Sequence, residues 1–368
     1  MILISLLLLP VLIAIGFLLF GGRSLHIFEF LAMLGIAIVI TGISSAIIYY
    51  RNFSDTEIWN GIVVNKTREE VHCRHDYCCG HCQSCSTNSK GHRRCHTYCC
   101  STCYEHPYDV DWNVYMSYLP SHISSDSLSI NTVDRQGLIE PPRWTLIHEG
   151  DPVCKSHKYI NYIKGSPDTL FRNQGLVEKY IKVLPNYPDQ IYDIYHLGRV
   201  VPVNVLLPDI ADWQTDLSKV NATLGPEKQV NIVMVIVTGQ PEEYFEALKQ
   251  HWIGGKKNDA IIVINIKQDH IIEWVSVMAW TDHSIFQVKL RDAILDLKTL
   301  DRQMVIPTIS EHVDKYYVRK PMADFQYLEA SIMPTVTEYA VISVVECIIM
   351  VGLGIWFLMN DFEEGDSL

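Results

Sequence analysis

The chain has 368 residues, 48% of them hydrophobic, with a formal net charge of −12 and a pI near 5.6. This length exceeds that of one ordinary domain, so two folded units together with membrane segments are expected. The acidic excess argues against nucleic acid as a main partner, because phosphate binding depends on clustered Lys and Arg.

The chain begins with two apolar runs. Ile2–Phe20 carries no charge and is long enough to cross a bilayer. It lacks the basic start and the small-residue cleavage site of a signal peptide, so a retained anchor is expected, with a cleaved signal as the alternative. A short link leads to Ile27–Tyr50, and the aromatic residues at its end are typical of a membrane interface. These runs predict a transmembrane helical hairpin over residues 1–50, with spans 2–20 and 27–50.

A third apolar run, Tyr339–Met359, predicts one more transmembrane helix, followed by an acidic tail over residues 360–368. The large region between the second and third spans is therefore expected on one side of the membrane. Glu346 lies inside the third run, where a carboxylate is costly and usually faces another helix or a cavity. The favoured interpretation is helix packing, through a hydrogen bond to a hydroxyl of the second span (Thr41, Ser44 or Ser45) or through a contact between subunits. An ion or proton path is the alternative.

The strongest local signal is a cysteine-rich segment. Nine of the eleven cysteines fall in it, and each half contains the string Tyr-Cys-Cys-x-x-Cys. The nine are Cys73, Cys78, Cys79, Cys82, Cys85, Cys95, Cys99, Cys100 and Cys103. Histidines are interspersed or adjacent, at His72, His75, His81, His92, His96 and His106.

Two chemistries explain this segment. In a reducing compartment, paired Cys-x-x-Cys units with histidines nearby supply ligands for structural zinc. In an oxidising compartment, the same cysteines form disulfides that hold together a segment with almost no apolar core. Adjacent cysteines point apart, which favours disulfides, and adding Cys154 gives ten extramembrane cysteines, a number suited to five bridges. Zinc at the cysteine cluster remains the alternative, and a redox role for the thiols is a third.

β-branched and aromatic residues flank the cysteine-rich segment. Glu57–Val64 and Tyr108–Tyr115 are typical of strands, so we predict two strands of one sheet. Residues 72–106 would project between these strands as an insertion. Short strands separated by turn residues follow. Residues 51–200 are therefore predicted to form a β-rich domain.

The periodicity changes in the second half of the chain. The expected strands there are Val230–Val237, Ala260–Ile266 and Ile271–Met278, and the expected helices are residues 210–224, a helix opening at Pro241, and residues 284–300 and 310–331. This order predicts a three-layer α/β domain over residues 201–335. The predicted fold class is membrane-anchored α+β, with a transmembrane hairpin, a cysteine-rich β domain, the α/β domain and a C-terminal transmembrane helix.

The α/β domain resembles the TPM domain family over about residues 207–300. The resemblance rests on the strand Val230–Val237, on the turn Trp252–Asp259 with its Gly-Gly-Lys-Lys-Asn-Asp sequence, and on the paired strands that follow. The family includes thylakoid lumen proteins assigned acid phosphatase activity or photosystem repair, and an accessory protein of a neurotransmitter receptor. Most members place the domain outside the cytosol beside a C-terminal membrane helix, an arrangement that Tyr339–Met359 repeats.

The phosphatase activity that the resemblance implies would need a divalent metal held by carboxylates. The candidate residues for such a site are Asp259, Asp282 and His283. Asp and His at loop ends are more often caps and solvated turns than ligands. The sequence also has Ala260 where family members have glycine, and it contains no nucleophile motif, P-loop or dinucleotide fingerprint. Binding is therefore favoured over catalysis.

The function favoured by the sequence is that of an integral membrane accessory or assembly protein, presenting a TPM-like binding domain outside the cytosol. Its partners would be the lipid bilayer and other membrane proteins, or a second copy of itself. The membrane would be an inner or plasma membrane, with the large region exoplasmic or periplasmic. Trp252, Trp274 and Trp280 are expected to cluster, exposed, near one end of the sheet and to suit a protein contact. A metal-dependent acid phosphatase of the TPM type is the alternative.

Overall fold

A computed structural model of the chain describes residues 12, 15–16, 27–87, 91–118, 126–130, 136–165, 174–188, 198–331 and 336–359. Almost all of the predicted first span, 2–20, and the whole acidic tail, 360–368, lie outside these described residues. The chain divides into two compact units. The first comprises residues 1–56, 158–172 and 321–368, and the second comprises residues 57–157 and 173–320.

Among the described residues of the first unit, two helices are long and apolar enough to cross a membrane, Ile27–Phe53 and Val336–Met359. Their apolar lengths meet the requirement for crossing about 30 Å of hydrocarbon. The two helices pack on each other, with Met33 and Ala37 buried against Met350. The first helix ends three residues after its predicted end, at Phe53, and the second begins three residues before its predicted start, at Val336. The protein therefore has two apolar helices compatible with a membrane protein.

Glu346 of the Val336–Met359 helix is fully buried. Thr41 of the other long helix lies beside it, as helix packing predicts. Neither carboxyl oxygen has a hydrogen-bond partner of good geometry within the described parts of the chain. Thr41 and Glu346 thus bring two polar groups together between the helices, and an intramembrane carboxyl group usually faces a neighbouring helix.

The first sheet has the strand order β5-β4-β1-β6. Its elements and those inserted in it are β1 (Ser54–His72), β2 (Asp76–Thr87), β3 (Arg93–Tyr104), β4 (Tyr108–Ser117), β5 (Asp126–Ser129), the short helix α1 (Pro142–Leu146) and β6 (Pro152–Ile160). Strands β1 and β4 are antiparallel, with a register that runs from Ile62 opposite Ser117 to His72 opposite Tyr108. Alternate residues such as Val63, Val114 and Met116 are buried, which gives this sheet its own core.

Both predicted flanking strands therefore exist and pair with each other. Strand β1 continues past Val64 to His72, although its second half is polar, because β4 supplies hydrogen-bond partners along its length. A polar stretch gives no alternating hydrophobic signal, so the sequence pattern ended the strand too early. The extension carries the chain from the core of the sheet to the start of the cysteine-rich segment.

The second sheet has the order β10-β9-β8-β7. Its elements and those packed on it are α2 (Gln174–Tyr180), β7 (Val200–Val203), α3 (Ile210–Lys228), β8 (Asn231–Thr238), α4 (Glu243–His251), β9 (Asp259–Ile266), β10 (Ile272–Ala279), α5 (Ile285–Asp296) and α6 (Arg302–Tyr316). Strands β7, β8 and β9 are parallel, and β10 is antiparallel to β9. Every residue of β9 is buried, as in a sheet covered on both faces.

Helices cover both faces of this second sheet. Residues of α3, α5 and α6 pack with one set of inward strand residues, which includes Ile232 and Ile262. Residues of α2 and α4 pack with the other set, which includes Val233 and Val263. These strands carry continuous apolar runs because neighbouring side chains point into opposite cores. The mixed α+β class is confirmed.

The last helix of the second unit differs from its prediction over residues 310–331. It begins earlier, at Arg302, and ends at Tyr316, and residues Met322–Ser331 form a separate 3-10 helix. Asp301 caps the start, since its side chain accepts a hydrogen bond from the Gln303 backbone N–H at 2.9 Å. Pro307 lies inside the helix, where proline normally disfavours helix formation. Packing of Val305 and Ile309 in the core offsets that cost.

Candidate functional site

Strands β2 and β3 form a hairpin that is a two-stranded sheet by itself. The register runs from Asp76 opposite Tyr104 to Thr87 opposite Arg93, and residues 88–90 between the strands lie outside the described part. Nearly every side chain of the two strands is exposed, and none is buried. An isolated two-stranded hairpin is marginal in water because it has no core. Something other than packing must hold this hairpin together.

Four disulfides hold the hairpin together. They join Cys78 to Cys99, Cys79 to Cys103, Cys82 to Cys100 and Cys85 to Cys95, with Cα–Cα distances of 5.7, 5.6, 5.6 and 4.0 Å. Such bridges stabilise a fold mainly by restricting the unfolded chain. The disulfide prediction is therefore confirmed for eight of the nine clustered cysteines, and it indicates an oxidising environment for this region.

The expectation of five bridges is wrong, because Cys73 and Cys154 are free. Cys154 is buried beside Ile58, near the start of β1, whereas Cys73 follows the end of that strand. At about 3.3 Å per residue the two thiols are tens of ångströms apart, far beyond the reach of a disulfide. Counting cysteines could not reveal this, since the distance depends on the length of β1.

One face of the hairpin carries a stripe of exposed polar and aromatic residues. Side chains alternate along a strand, so Arg94, His96 and Tyr98 of β3 share a face, which we call the hairpin stripe. All three are exposed. Residues 76–104 contain one acid, Asp76, and three bases, at positions 90, 93 and 94, although the whole chain is acidic. Arg and Tyr are enriched among residues that dominate protein interfaces.

A second cluster lies where the hairpin joins the first sheet. It consists of Cys73, His75, His106 and Asp109, and we call it the base cluster. Their potential ligand atoms all lie within 4.8 Å of one another. Of the described residues, this is the single group of His, Cys, Asp and Glu close enough to hold a metal ion. The histidine-rich spacing pointed to His75 and His106, but Asp109 was not recognised, although the sequence His-x-x-Asp places it one short turn after His106.

Among the described residues, those nominated for a phosphatase site do not form a group compatible with a metal ion. Asp259 is buried and accepts hydrogen bonds from Asn231 Nδ2 at 2.8 Å, the Tyr187 hydroxyl at 2.8 Å and the backbone N–H of Lys256 at 2.7 Å. Burial raises the pKa of Asp259 to about 6, although these hydrogen bonds favour the charged form. The carboxyl group is thus fully engaged inside the protein, at the start of β9.

Asp282 and His283 lie in the exposed loop after β10. Asp282 is held there by its backbone N–H, which donates to the Val318 carbonyl at 3.0 Å. Neither residue belongs to the metal-compatible cluster within the described chain. Asp259 is thus buried, whereas Asp282 and His283 face solvent.

The expected exposed tryptophan cluster is wrong. Trp252 is buried, and Trp274 and Trp280 are half-buried. Each indole N–H donates to a backbone carbonyl, at 2.8 to 3.0 Å. Trp274 pairs with Asn265 near the end of β9, whereas Trp280 follows β10 at the other end of the sheet. Trp274 and Trp280 therefore lie near opposite ends of the extended strand β10, and closeness in sequence did not place these two rings together.

Sequence reasoning also missed a buried ion pair. Glu57 of β1 is fully buried, and Arg319 donates to both of its carboxylate oxygens, at 2.8 and 3.0 Å. Trp59 Nε1 donates to the same carboxylate at 2.7 Å, and His157 Nδ1 lies 3.3 Å from it. In the sequence, the one sign of this ion pair was a glutamate, Glu57, within a predicted strand. Its partner Arg319 could not be identified, because it lies 262 residues away.

Comparisons of this chain with protein-family models, curated proteins and solved structures found no match. The class defined by the observations above is a mixed α+β protein with two apolar helices and a disulfide-braced hairpin. The resemblance to TPM domains remains a hypothesis that rests on the sequence alone.

Reducing the four disulfides is expected to open the hairpin and leave the second sheet intact. Each bridge contributes about 2–4 kcal/mol, and the hairpin has no core to replace it. We expect backbone amides of Arg93–Tyr104 to exchange hydrogen about a hundredfold faster or more after mild reduction, measured by mass spectrometry on the full chain in detergent. Amides of Asp259–Ile266, in a sheet without cysteine, are the control and should not change. Equal protection of the hairpin before and after reduction would contradict this account.

Proposed function

We propose that the protein is an integral membrane accessory or assembly protein that contacts a partner protein through the disulfide-braced hairpin. The membrane is an inner or plasma membrane, and the hairpin lies on its exoplasmic or periplasmic side. The two apolar helices support the membrane anchorage. The disulfides support the oxidising side, because cytosolic thiols are kept reduced.

The observation that carries this proposal is the exposure of a hairpin that is covalently rigid. Four disulfides in two short strands stabilise a structure that buries none of its own residues. Such bracing contributes nothing to the cores of the two sheets. It fixes the hairpin stripe in one conformation before binding, which lowers the entropy lost when a partner docks. A preorganised, projecting surface is therefore suited to recognition.

The charge of the hairpin indicates the chemistry of the partner. Arg94 and Tyr98 supply a cation and a rigid aromatic ring on one face, with His96 between them. Residues 76–104 carry three bases and one acid within a chain of net charge −12, so the hairpin complements an acidic surface. The partner we propose is another membrane protein with an acidic patch outside the cytosol. Self-association is a distinct outcome of the test below.

The second sheet and its helices supply the TPM-like domain of this proposal. The order β8-α4-β9-β10-α5 is the part of the chain on which the resemblance rests. A phosphatase role receives no support from the nominated residues, since Asp259 is saturated with hydrogen bonds and Asp282 is exposed in a loop. Binding is therefore the function for which the protein offers a surface.

The proposal is tested by photo-crosslinking in the native membrane. A photo-reactive amino acid replaces Tyr98 in the full-length protein, and the expected result is one discrete adduct with another protein. Adding Arg94→Glu should reduce the adduct about tenfold or more, because the acidic partner is then repelled. The matched control places the same photo-reactive residue at Thr97, which points to the opposite face of β3.

The outcomes of this experiment separate the alternatives. An adduct of twice the chain's mass assigns the stripe to self-association. Equal adducts from positions 97 and 98, or an adduct that Arg94→Glu leaves unchanged, would contradict recognition through the stripe. The absence of an adduct at both positions would show that the hairpin does not contact a partner.

A further inference from the structure

We propose that the base cluster binds one zinc ion, with Cys73, His75, His106 and Asp109 as its four ligands. This ligand set differs from the one that the cysteine spacing suggested, since disulfides occupy the paired Cys-x-x-Cys units. The inference does not depend on the proposed partner. It concerns how the hairpin is fixed to the first sheet.

Local structure brings the two halves of the cluster together. Cys73 directly follows β1, and Asp109 lies in β4 opposite Val71 of β1. The ladder between these strands therefore sets the spacing across the cluster. His75 and His106 lie on the two short connections that lead into and out of the hairpin. Asp109 thus lies in a paired strand, and the other three ligands lie within three residues of one.

Further hydrogen bonds fix the connections. The backbone N–H of Arg74 donates to Asp109 Oδ2 at 2.8 Å, which leaves Oδ1 to face the cluster. The backbone N–H of Glu105 donates to the His75 carbonyl at 3.1 Å and closes the neck of the hairpin. A site held in this way loses little conformational entropy when it binds an ion.

Distances within the cluster fit a tetrahedral zinc site. Cys73 Sγ lies 3.7 Å from His106 Nε2, and His75 Nδ1 lies 3.6 Å from Asp109 Oδ1. With zinc–sulfur bonds of about 2.3 Å and zinc–nitrogen or zinc–oxygen bonds of about 2.0–2.1 Å, tetrahedral ligands are about 3.3–3.6 Å apart. No pair of ligand atoms in the cluster is separated by more than 4.8 Å. Small side-chain shifts would complete the geometry.

His106 is oriented as a zinc ligand. Its Nδ1 lies 3.0 Å from the Tyr108 carbonyl, and a hydrogen bond from Nδ1–H to this oxygen leaves Nε2 with a free lone pair toward Cys73. A ligating histidine commonly donates its other N–H to a backbone carbonyl or carboxylate. Asp109 Oδ1 also lies 3.1 Å from His106 Nδ1, and its negative charge supports the same orientation.

Buried polar atoms of the cluster suit a cation. His75 Nδ1 and Asp109 Oδ1 are buried and make no hydrogen bond of good geometry within the described residues, although Asp109 Oδ1 lies 3.1 Å from His106 Nδ1. They face each other at 3.6 Å without hydrogen-bond geometry, as two ligands of one ion do. Leaving such atoms unpaired costs about 1–3 kcal/mol each, and a bound cation would satisfy both. Cys73 is also buried, and all the other cysteines of the segment are in disulfides.

The ligand set selects zinc and a structural role. One thiolate, two imidazoles and one carboxylate suit a borderline-soft ion, whereas calcium and magnesium prefer oxygen ligands throughout. With four protein ligands the coordination shell is closed, which is the arrangement of structural zinc sites. The ion would join β1 and β4 beneath the hairpin and fix the direction in which the hairpin projects.

The test is metal analysis of the full chain, purified in detergent without reductant or chelator. We expect about one zinc per chain, and substitution with cobalt should give a thiolate-to-cobalt charge-transfer band. Cys73→Ser should abolish that band, and His106→Gln and Asp109→Asn should each weaken zinc binding about tenfold or more. The matched control is His96→Gln, a hairpin histidine outside the base cluster, which should keep full zinc content.

Alkylation of Cys73 provides a second readout that does not require a stable variant. Zinc should protect this thiol in the wild-type protein, and a chelator should expose it while the four disulfides stay intact. A protein that holds no zinc after incubation with zinc, with Cys73 equally reactive throughout, would overturn the assignment. Zinc binding that depends on His96 and not on Asp109 would also overturn it. Failure of the crosslinking experiment would leave these results untouched, so the two proposals can fail separately.

Discussion

Arg319→Met is expected to lower the free energy of unfolding of the second unit by about 3–5 kcal/mol. The substitution keeps much of the side-chain volume but removes the guanidinium that bonds both oxygens of Glu57. Glu57 is fully buried, so its carboxylate would be left in a low-dielectric site without its main countercharge. Breaking a buried ion pair by removing one partner typically costs this much. Denaturant unfolding followed by tryptophan fluorescence measures the loss, since Trp59 donates to the same carboxylate.

Two variants make this result specific. Arg291→Met removes an exposed pair with the adjacent Asp292 and should cost less than about 0.5 kcal/mol. Adding Glu57→Gln to Arg319→Met should recover part of the lost stability, because the buried charge is then removed as well. Equal losses from Arg291→Met and Arg319→Met, or no recovery in the double variant, would show that the ion pair does not hold the unit together.

Asp259→Ala is expected to lower the free energy of unfolding by about 3 kcal/mol, whereas Asp282→Ala should leave it nearly unchanged. The first variant removes the acceptor for three buried or half-buried donors, on Asn231, Tyr187 and Lys256. Each donor that loses its acceptor costs about 1–3 kcal/mol, offset in part by removal of a buried carboxyl group. Asp282 is exposed, so its replacement leaves no buried donor without an acceptor. Parallel denaturant titrations of the two variants give the comparison.

The free energy of unfolding is expected to depend on pH through the titration of Asp259. Burial raises the pKa of Asp259 from its ordinary value of 3.8 to about 6, so the folded protein holds this proton more tightly than the unfolded chain. The stabilisation is fully present below about pH 4 and is lost as pH rises through 6, a change of up to about 3 kcal/mol. The difference in unfolding free energy between wild type and Asp259→Asn should therefore fall between pH 4 and 7. A difference that rises over this window would contradict burial as the dominant cause.

Secondary structure in the second sheet was predictable because its strands are continuous apolar runs. Val230–Val237 corresponds to β8 within one residue at each end, since only a strand buried on both faces carries such a run between turn residues. The helix containing Pro307 was not predictable in the same way. Its start depends on capping by Asp301 and its interior on packing of Ile309, and tertiary contacts outweigh the local preference of proline.

The sequence by itself determined the apolar helices, the α+β class and the presence of a covalently or metal-stabilised cysteine segment. These properties depend on composition and on residues near one another in the chain, which a single sequence displays. Only the tertiary structure decided which cysteines pair, that Cys73 faces histidines and a carboxylate, and that Glu57 meets Arg319. Those contacts depend on strand register and on chain segments far apart in sequence, and a shift of one residue in a strand would turn each side chain to the other face.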